Sequence, residues 1–157
     1  MGPMVSERRR VAVHKLITDA VGQGARVVLG GEPTPGPGYF FPPTVVTDVP
    51  ADAALLNEEP FGPVAPIIAV DSIDEALRIA NSLPYGLAAY AYTDSAATAE
   101  KLIAGLEAGI LSINHCSGSV PQAPSGGVKD SGYGREGGEE GLHGYLVTKR
   151  VSHKLHP

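Results

Sequence analysis

Hydrophobic residues recur along this 157-residue chain in spacings that predict alternating helices and strands. Near the N-terminus they repeat every three or four residues, as in an amphipathic helix whose apolar stripe lies against a core. Ser72 followed by Glu75 is a capping box that predicts a second helix start, and Asp94 or Ser95 can begin a third. The stripe of the first predicted helix comprises Val13, Leu16, Ile17, Ala20 and Val21.

Short apolar runs between these helices predict strands. Residues 87–92 and 110–113 are two such runs, and residues 64–70 are apolar almost throughout, which predicts a strand buried on both faces. Strands alternating with helices in this order are typical of parallel crossovers. We therefore expect an α/β protein with a mostly parallel sheet and flanking helices. Residues 145–155 alternate weakly and predict an exposed strand at the C-terminal end.

Composition narrows the classes of function. With 12 basic and 17 acidic residues the net charge is −5, which argues against a nucleic-acid-binding face. We assign the short basic run of residues 8–10 to the solvated face of the first helix. No apolar run reaches the roughly 20 residues that span a bilayer. The single cysteine, Cys116, excludes an intrachain disulfide and fits a reducing cytoplasm. The histidines show no metal-ligand spacing, so we expect no metal site.

The segment Asn-Glu-Glu-Pro-Phe-Gly-Pro-Val at residues 57–64 carries the chemistry most open to interpretation. Pro60 and Pro63 each fix φ near about −65° and favour extended geometry at the preceding residue. In an extended chain the side chains of Glu59 and Phe61 share one face. A carboxylate beside a flat apolar ring suits a hydroxylated sugar joined to an aromatic ring, such as a nicotinamide riboside. The alternative is a stiff surface turn ahead of a strand.

Two motifs together resemble one enzyme family. Residues 58–64 look like the Glu-x-Phe-Gly-Pro signature of the NAD(P)-dependent aldehyde dehydrogenases. Residues 123–137 resemble that family's P-F-G-G-x-K-x-S-G-x-G-R-E segment, and the two lie in the family's order. The resemblance runs from about residue 5 to about residue 155 and corresponds to the C-terminal third of a full-length member. It implies part of the catalytic domain of an oxidoreductase that converts an aldehyde to a carboxylic acid with NAD or NADP.

The resemblance also implies roles for individual residues. In the family the signature glutamate holds the ribose next to the nicotinamide and the phenylalanine lies against the nicotinamide, roles that fall on Glu59 and Phe61. Ser117, Ser119 and Ser125 fall at substrate-pocket positions, and Ser125 replaces the usual phenylalanine, which would widen the pocket and make it more polar. Because hydroxyls can donate hydrogen bonds to a carboxylate, a semialdehyde is a candidate substrate. The alternative is that serines are simply common in loops.

Cys116 invites interpretation as a nucleophile with His115 as its base. Adjacent side chains in an extended chain point to opposite faces, however, so His115 is poorly placed for that role. The family nucleophile lies in a Gly-Gln-x-Cys context upstream of the signature, and we find no such segment before Glu59. We therefore interpret Cys116 as a pocket-wall thiol and expect no catalytic residue here. We expect no dehydrogenase activity from this chain alone, and weak or no binding of NAD or NADP.

The expected domain organisation follows the same resemblance. Residues 1–4 are interpreted as a leader, residues 5–143 as a partial catalytic domain, and residues 144–157 as an oligomerisation strand, since the family's C-terminal strand takes part in subunit contacts. We expect a cytoplasmic homo-oligomer that does not bind nucleic acid or membranes. Two other hypotheses stay open: a non-catalytic binding or assembly module, and one piece of a split enzyme.

Overall fold

A computed structural model describes residues 1–117 and 120–155 of the chain. Ser119, one of the predicted substrate residues, therefore lies outside the described residues. The chain forms two compact units, residues 1–69 and residues 70–157, which we call the N-terminal and C-terminal units. Both combine helices with short strands, which confirms the predicted α/β class. Among the described residues, no helix is both long enough and apolar enough to cross a membrane.

The N-terminal unit is built from two helices and three strands. The elements are α1 (Glu7–Gly22), β1 (Arg26–Leu29), β2 (Thr44–Thr47), α2 (Ala54–Asn57) and β3 (Val64–Ile67). The central strand β2 pairs antiparallel with β1 and parallel with β3. These elements enclose one apolar core that includes Phe41, Val46 and Leu55.

The apolar stripe predicted for the first helix forms the helical side of this core. Val13, Leu16, Ile17 and Ala20 are buried, as predicted. Val21 was also expected to face the core, but 45% of it is exposed because it lies beyond the edge of the stripe that the sheet covers. Ser6 begins the helix, since its hydroxyl accepts a hydrogen bond from the Arg9 amide.

The prediction of a strand over residues 64–70 that is buried on both faces was wrong. The strand β3 is shorter, Val64–Ile67, and lies at the edge of its sheet. Its side chains alternate, with Val64 packed against the core and 53% of Ile67 exposed. Pro66 fits this edge position because an edge strand leaves one row of backbone groups without a ladder partner. An apolar run therefore overestimated burial here.

The C-terminal unit contains the predicted parallel crossover. Its elements are α3 (Ile73–Ala80), β4 (Tyr85–Gly86), β5 (Ala88–Ala91), α4 (Ala96–Gly105), β6 (Ile110–Ile113), β7 (Val128–Lys129) and α5 (Glu140–His143). The strands β5 and β6 pair in parallel and are joined by α4. Ser72 and Ser95 cap α3 and α4 as predicted, each accepting a backbone N–H at 3.2 Å. The antiparallel pair of β4 and β7 was not predicted.

The exposed strand predicted at the C-terminal end is not confirmed. Residues 144–155 form no strand in the structure. They are exposed throughout, with 88% of Tyr145 and 95% of Val147 accessible to solvent. A weak alternation of apolar residues does not make a strand without a neighbouring chain to hydrogen-bond.

The buried hydroxyl of Thr44 provides a test of the N-terminal core. It accepts a hydrogen bond from Gly31 N–H at 3.0 Å and donates one to the Pro42 carbonyl at 3.0 Å. Thr44→Val leaves both groups without a partner, so we expect the free energy of unfolding to fall by about 1–3 kcal/mol in urea titrations. The matched control is Thr47→Val, whose hydroxyl bonds only to the exposed carboxylate of Asp48. Equal losses from the two variants would contradict this account.

Candidate functional site

The segment between α2 and β3 forms two consecutive γ-turns, each with a proline at its centre. Phe61 N–H donates to the Glu59 carbonyl across Pro60 at 2.9 Å, and Val64 N–H donates to the Gly62 carbonyl at 2.9 Å. Proline suits the middle of an inverse γ-turn, which needs φ near about −75°. The chain is therefore not extended through Pro60 and Pro63, so the condition under which Glu59 and Phe61 would share one face is not met. The segment is the stiff turn ahead of a strand that was the alternative interpretation.

Contacts on two sides hold this turn in place. On the helix side, Arg9 Nη2 donates to the Glu59 carbonyl at 3.2 Å. A Cβ added to Gly62 would lie 2.9 Å from a methyl group of Val13, so only glycine lets the turn approach α1 this closely. On the sheet side, Thr44 N–H at the start of β2 donates to the Pro63 carbonyl at 2.8 Å. The turn is thus anchored to both layers of the N-terminal unit.

The two predicted cofactor residues lie on the outside of this anchored turn. Glu59 is exposed, and so is 68% of Phe61. Neither side chain contributes to the apolar core. A carboxylate can accept hydrogen bonds from sugar hydroxyls, and an uncovered aromatic ring offers its face to another flat ring. The side chains present therefore fit the nicotinamide riboside end of a dinucleotide.

The surface depression of the N-terminal unit lies at a different place from this pair. It is open and is formed at the carboxyl ends of β2 and β3, with Arg26 and Asp48 joined across it by an ion pair of 3.5 Å. Glu59 and Phe61 instead precede β3 and belong to its amino-terminal end. The depression is lined by Arg26, Thr47, Asp48, Val49, Ile67, Ile68 and Ala69.

In the C-terminal unit, the carboxyl ends of β5 and β6 are joined by one asparagine. Asn114 has a φ of 62°, and its side chain accepts from Thr93 N–H at 2.8 Å and donates to the Thr93 carbonyl at 3.0 Å. The next residues turn back on the strand, because the Ser112 hydroxyl donates to the Ser117 carbonyl at 2.9 Å. Ser117, a predicted substrate residue, is exposed at this strand end.

Cys116 lies in the same turn with its thiol exposed. The neighbouring His115 does not face it as a base, because His115 Nδ1 accepts the Ser117 N–H at 3.2 Å. Among the described residues, no hydrogen bond would activate the thiol, and the interpretation of Cys116 as a pocket-wall residue stays a prediction.

Ser125, the remaining predicted substrate residue, begins the glycine-rich segment. It is half-buried and forms a bridge with Glu136, in which the two backbone N–H groups donate to each other's carbonyls at 2.7 and 2.8 Å. Arg135 Nη1 closes the same loop by donating to the carbonyls of Gly127 and Gly134 at 2.6 and 2.8 Å. The position of Ser125 is therefore set by backbone bonds that Arg135 reinforces.

The lysine of this segment has a structural role that the sequence did not reveal. Lys129 Nζ donates to the carbonyls of Asn81 and Leu83, both at 3.1 Å, just beyond the end of α3. It also forms an ion pair of 2.5 Å with Glu107. A cation that satisfies carbonyls at a helix C-terminus is favoured by both hydrogen bonding and the helix dipole. Lys129 therefore ties the glycine-rich segment to α3.

Arg9 is the residue near the candidate cofactor site that sequence reasoning missed. The basic run of residues 8–10 was expected to be a solvated face, which is wrong for two of its members. Arg9 donates to the Glu59 carbonyl. The guanidinium of Arg10 donates to the carbonyls of Thr34 and Gly38. The signal was present in the helical spacing, since Arg9 lies one turn before Val13 and shares its side of α1.

Comparison with known proteins identifies relatives for nearly the whole chain. Residues 1–151 match the model of the Aldehyde dehydrogenase family. The 4-(hydroxymethyl)benzenesulfonate dehydrogenase TsaD1 of Comamonas testosteroni is 51% identical over 149 residues, covering 95% of this chain and 31% of that protein. The succinate-semialdehyde dehydrogenase [NADP(+)] of Mycobacterium avium is 45% identical over 151 residues, covering 96% of this chain and 32% of that protein.

Solved structures agree with these sequence relatives. The crystal structure of lactaldehyde dehydrogenase from Escherichia coli superimposes with a TM-score of 0.92 at 40% identity, covering 96% of this chain and 32% of that one. The chain thus spans about a third of the length of the relatives it matches.

The exposure of Cys116 gives a direct test of the turn that follows β6. We expect Ellman's reagent to modify one thiol in the native chain at a rate within about threefold of the urea-unfolded chain, because an exposed thiol needs no opening of the structure. Cys116→Ser provides the blank, since it removes the only cysteine. Modification that begins only after unfolding would show that the thiol is enclosed.

Proposed function

The chain belongs to the aldehyde dehydrogenase family, and we propose that it supplies the C-terminal part of an enzyme that oxidises an aldehyde to a carboxylic acid with NAD or NADP. The observation that carries this proposal is the anchored turn that presents Glu59 and Phe61 on its outer side. When bound, the cofactor would accept a hydride from the substrate. The residues of this chain contribute binding and orientation at the nicotinamide end.

Glu59 and Phe61 divide this task between polar and apolar contacts. The Glu59 carboxylate accepts hydrogen bonds from ribose hydroxyls, and bonds to a charged group are worth about 1.5–3 kcal/mol each. The Phe61 ring covers the nicotinamide and removes apolar surface from water at about 25 cal/mol per Å². Pro60 fixes φ between the two residues, and the hydrogen bond across it restricts the distance between the polar and the apolar contact.

We propose that the substrate aldehyde carries an anionic group that Ser117, Ser119 and Ser125 help to bind. Hydroxyl groups can donate hydrogen bonds to a carboxylate or sulfonate oxygen. Both relatives support an anionic substrate by name, since one acts on succinate semialdehyde and the other on a benzenesulfonate. Ser117 is exposed at a strand end, and Ser125 is held by its bridge to Glu136. A semialdehyde is the simplest molecule of this kind.

A polypeptide of these 157 residues alone is proposed to be inactive and to bind NAD or NADP weakly or not at all. Two cofactor contacts recover little of the free energy lost when a dinucleotide is immobilised. Cys116 supplies no activated thiolate, because His115 is bonded to the backbone. The single cysteine is compatible with the proposed cytoplasmic location.

We further propose that residues 144–157 join copies of the chain into an oligomer. Tyr145, Val147 and Val151 are among the most exposed apolar side chains of the protein, at 88%, 95% and 74%. Pairing with a strand of a second copy would satisfy the backbone groups of this segment and bury these side chains.

Deleting residues 145–157 should therefore convert the oligomer that the chain forms in solution into a monomer. We expect static light scattering to give a dimer or larger species for the full chain at concentrations of about 100 μM, and a monomer for the shortened chain. Residues 1–3, which are exposed, provide a control deletion at the other terminus. A monomer mass for the full chain at high concentration would rule out this role.

The role of Glu59 can be measured in a chimera that joins this full chain to the preceding part of TsaD1. We expect Glu59→Gln to raise KM for NAD(P) about tenfold or more, the loss of one bond to a charged group. The matched control is Glu58→Gln, which removes the same charge from an exposed neighbour. If the two variants have the same KM for NAD(P), Glu59 does not hold the cofactor.

A further inference from the structure

We propose that Arg9 is a positioning residue that holds the Glu59–Phe61 turn in the conformation needed to bind the cofactor. The inference rests on the proposed function of Glu59 and Phe61, and it adds a residue from the N-terminal helix that acts through the backbone of the turn. Arg9 and Glu59 are 50 residues apart in the sequence.

One carbonyl group connects the arginine to the turn. The Glu59 carbonyl accepts the Phe61 N–H that closes the γ-turn, at 2.9 Å, and it also accepts Arg9 Nη2 at 3.2 Å. A guanidinium donor is charged, so this bond is stronger than one between neutral groups. Arg9 therefore stabilises the same oxygen that defines the turn.

The backbone of Pro60 explains why a second bond to that oxygen matters. The ring of proline fixes φ, which leaves ψ as the one soft backbone dihedral of Pro60. An inverse γ-turn needs ψ near about +65°, whereas proline in solution favours the polyproline II value near about +145°. Rotation of ψ between these values turns Phe61 relative to Glu59. By holding the Glu59 carbonyl, Arg9 favours the γ-turn over the more open conformation.

The part of α1 that carries Arg9 is itself held in place. The backbone N–H of Arg9 is bonded to the cap residue Ser6, and one turn further along the helix Val13 packs against Gly62 of the same turn. Arg9 Nε is buried without a hydrogen-bond partner among the described residues. Burial of an unpaired donor is unfavourable, so an arginine that served only solubility would turn outward. The observed position is the one that reaches the Glu59 carbonyl.

Arg10 offers a matched control on the same helix. It carries the same charge and also donates to backbone carbonyls, but those belong to Thr34 and Gly38 in the loop that follows β1. Arg9→Gln and Arg10→Gln therefore remove the same charge from adjacent positions and differ in which segment loses its anchor.

The conformation of the turn can be measured in the isolated full chain by NMR. The nuclear Overhauser effect between Pro60 Hα and the Phe61 amide proton strengthens as ψ opens. We expect it to rise in Arg9→Gln, up to about twofold for complete opening, as ψ moves from the γ-turn toward the polyproline II value. It should stay unchanged in Arg10→Gln, and Arg9→Lys should lie closer to the unsubstituted chain. An unchanged signal in Arg9→Gln would overturn the proposal.

The consequence for the cofactor is measured in the TsaD1 chimera. We expect Arg9→Gln to raise KM for NAD(P) about fivefold, the effect of one net hydrogen bond, with KM for the aldehyde unchanged and partial recovery in Arg9→Lys. If Arg9→Gln has a KM for NAD(P) no higher than that of Arg10→Gln, while Glu59→Gln raises this KM, the positioning role is refuted and the proposed function is not. If Glu59→Gln also leaves it unchanged, the proposed function itself has failed.

Discussion

The candidate cofactor site depends on a short stretch of backbone that is restrained from several sides. Two prolines fix φ at the centres of consecutive γ-turns, and hydrogen bonds from α1 and β2 anchor the carbonyls of that stretch. The turn keeps Glu59 and Phe61 at the surface although both lie next to a buried core. An exposed phenylalanine is unfavourable in water, so a ligand that covers its ring gains free energy. By keeping the Phe61 ring exposed, the restrained turn thus favours binding of a ligand that covers this ring.

Short sequence patterns correctly predicted the elements that depend on residues close together in the sequence. The stripe of α1 and the caps at Ser72 and Ser95 depend on residues within one helical turn of each other, and the structure contains them apart from the burial of Val21. The burial of β3 was predicted wrongly because it depends on how many neighbours a strand has, which its own residues do not encode. The pair of β4 and β7 was missed for the same reason, since it joins segments about 40 residues apart.

The sequence indicated residues for a cofactor site, and their role stays a prediction; the geometry of the turn that carries them was not predicted. The motif indicated Glu59 and Phe61, and both are exposed. The proline pattern indicated extended geometry only at the residues before each proline. It could not indicate ψ of Pro60, which we infer is held by a contact with Arg9 from 50 residues earlier. In the glycine-rich segment, Lys129 and Arg135 bind carbonyls and so shape the loop that holds Ser125. Charged residues in a motif can thus maintain a site without touching a ligand.

The most direct test of the central claim is a crystal structure of the TsaD1 chimera with NAD or NADP bound. The account predicts ribose hydroxyls within about 3 Å of the Glu59 carboxylate and the nicotinamide against the ring of Phe61. It also predicts that the γ-turn across Pro60 is the same as in the chain without cofactor. A nicotinamide end bound away from both side chains would contradict the account.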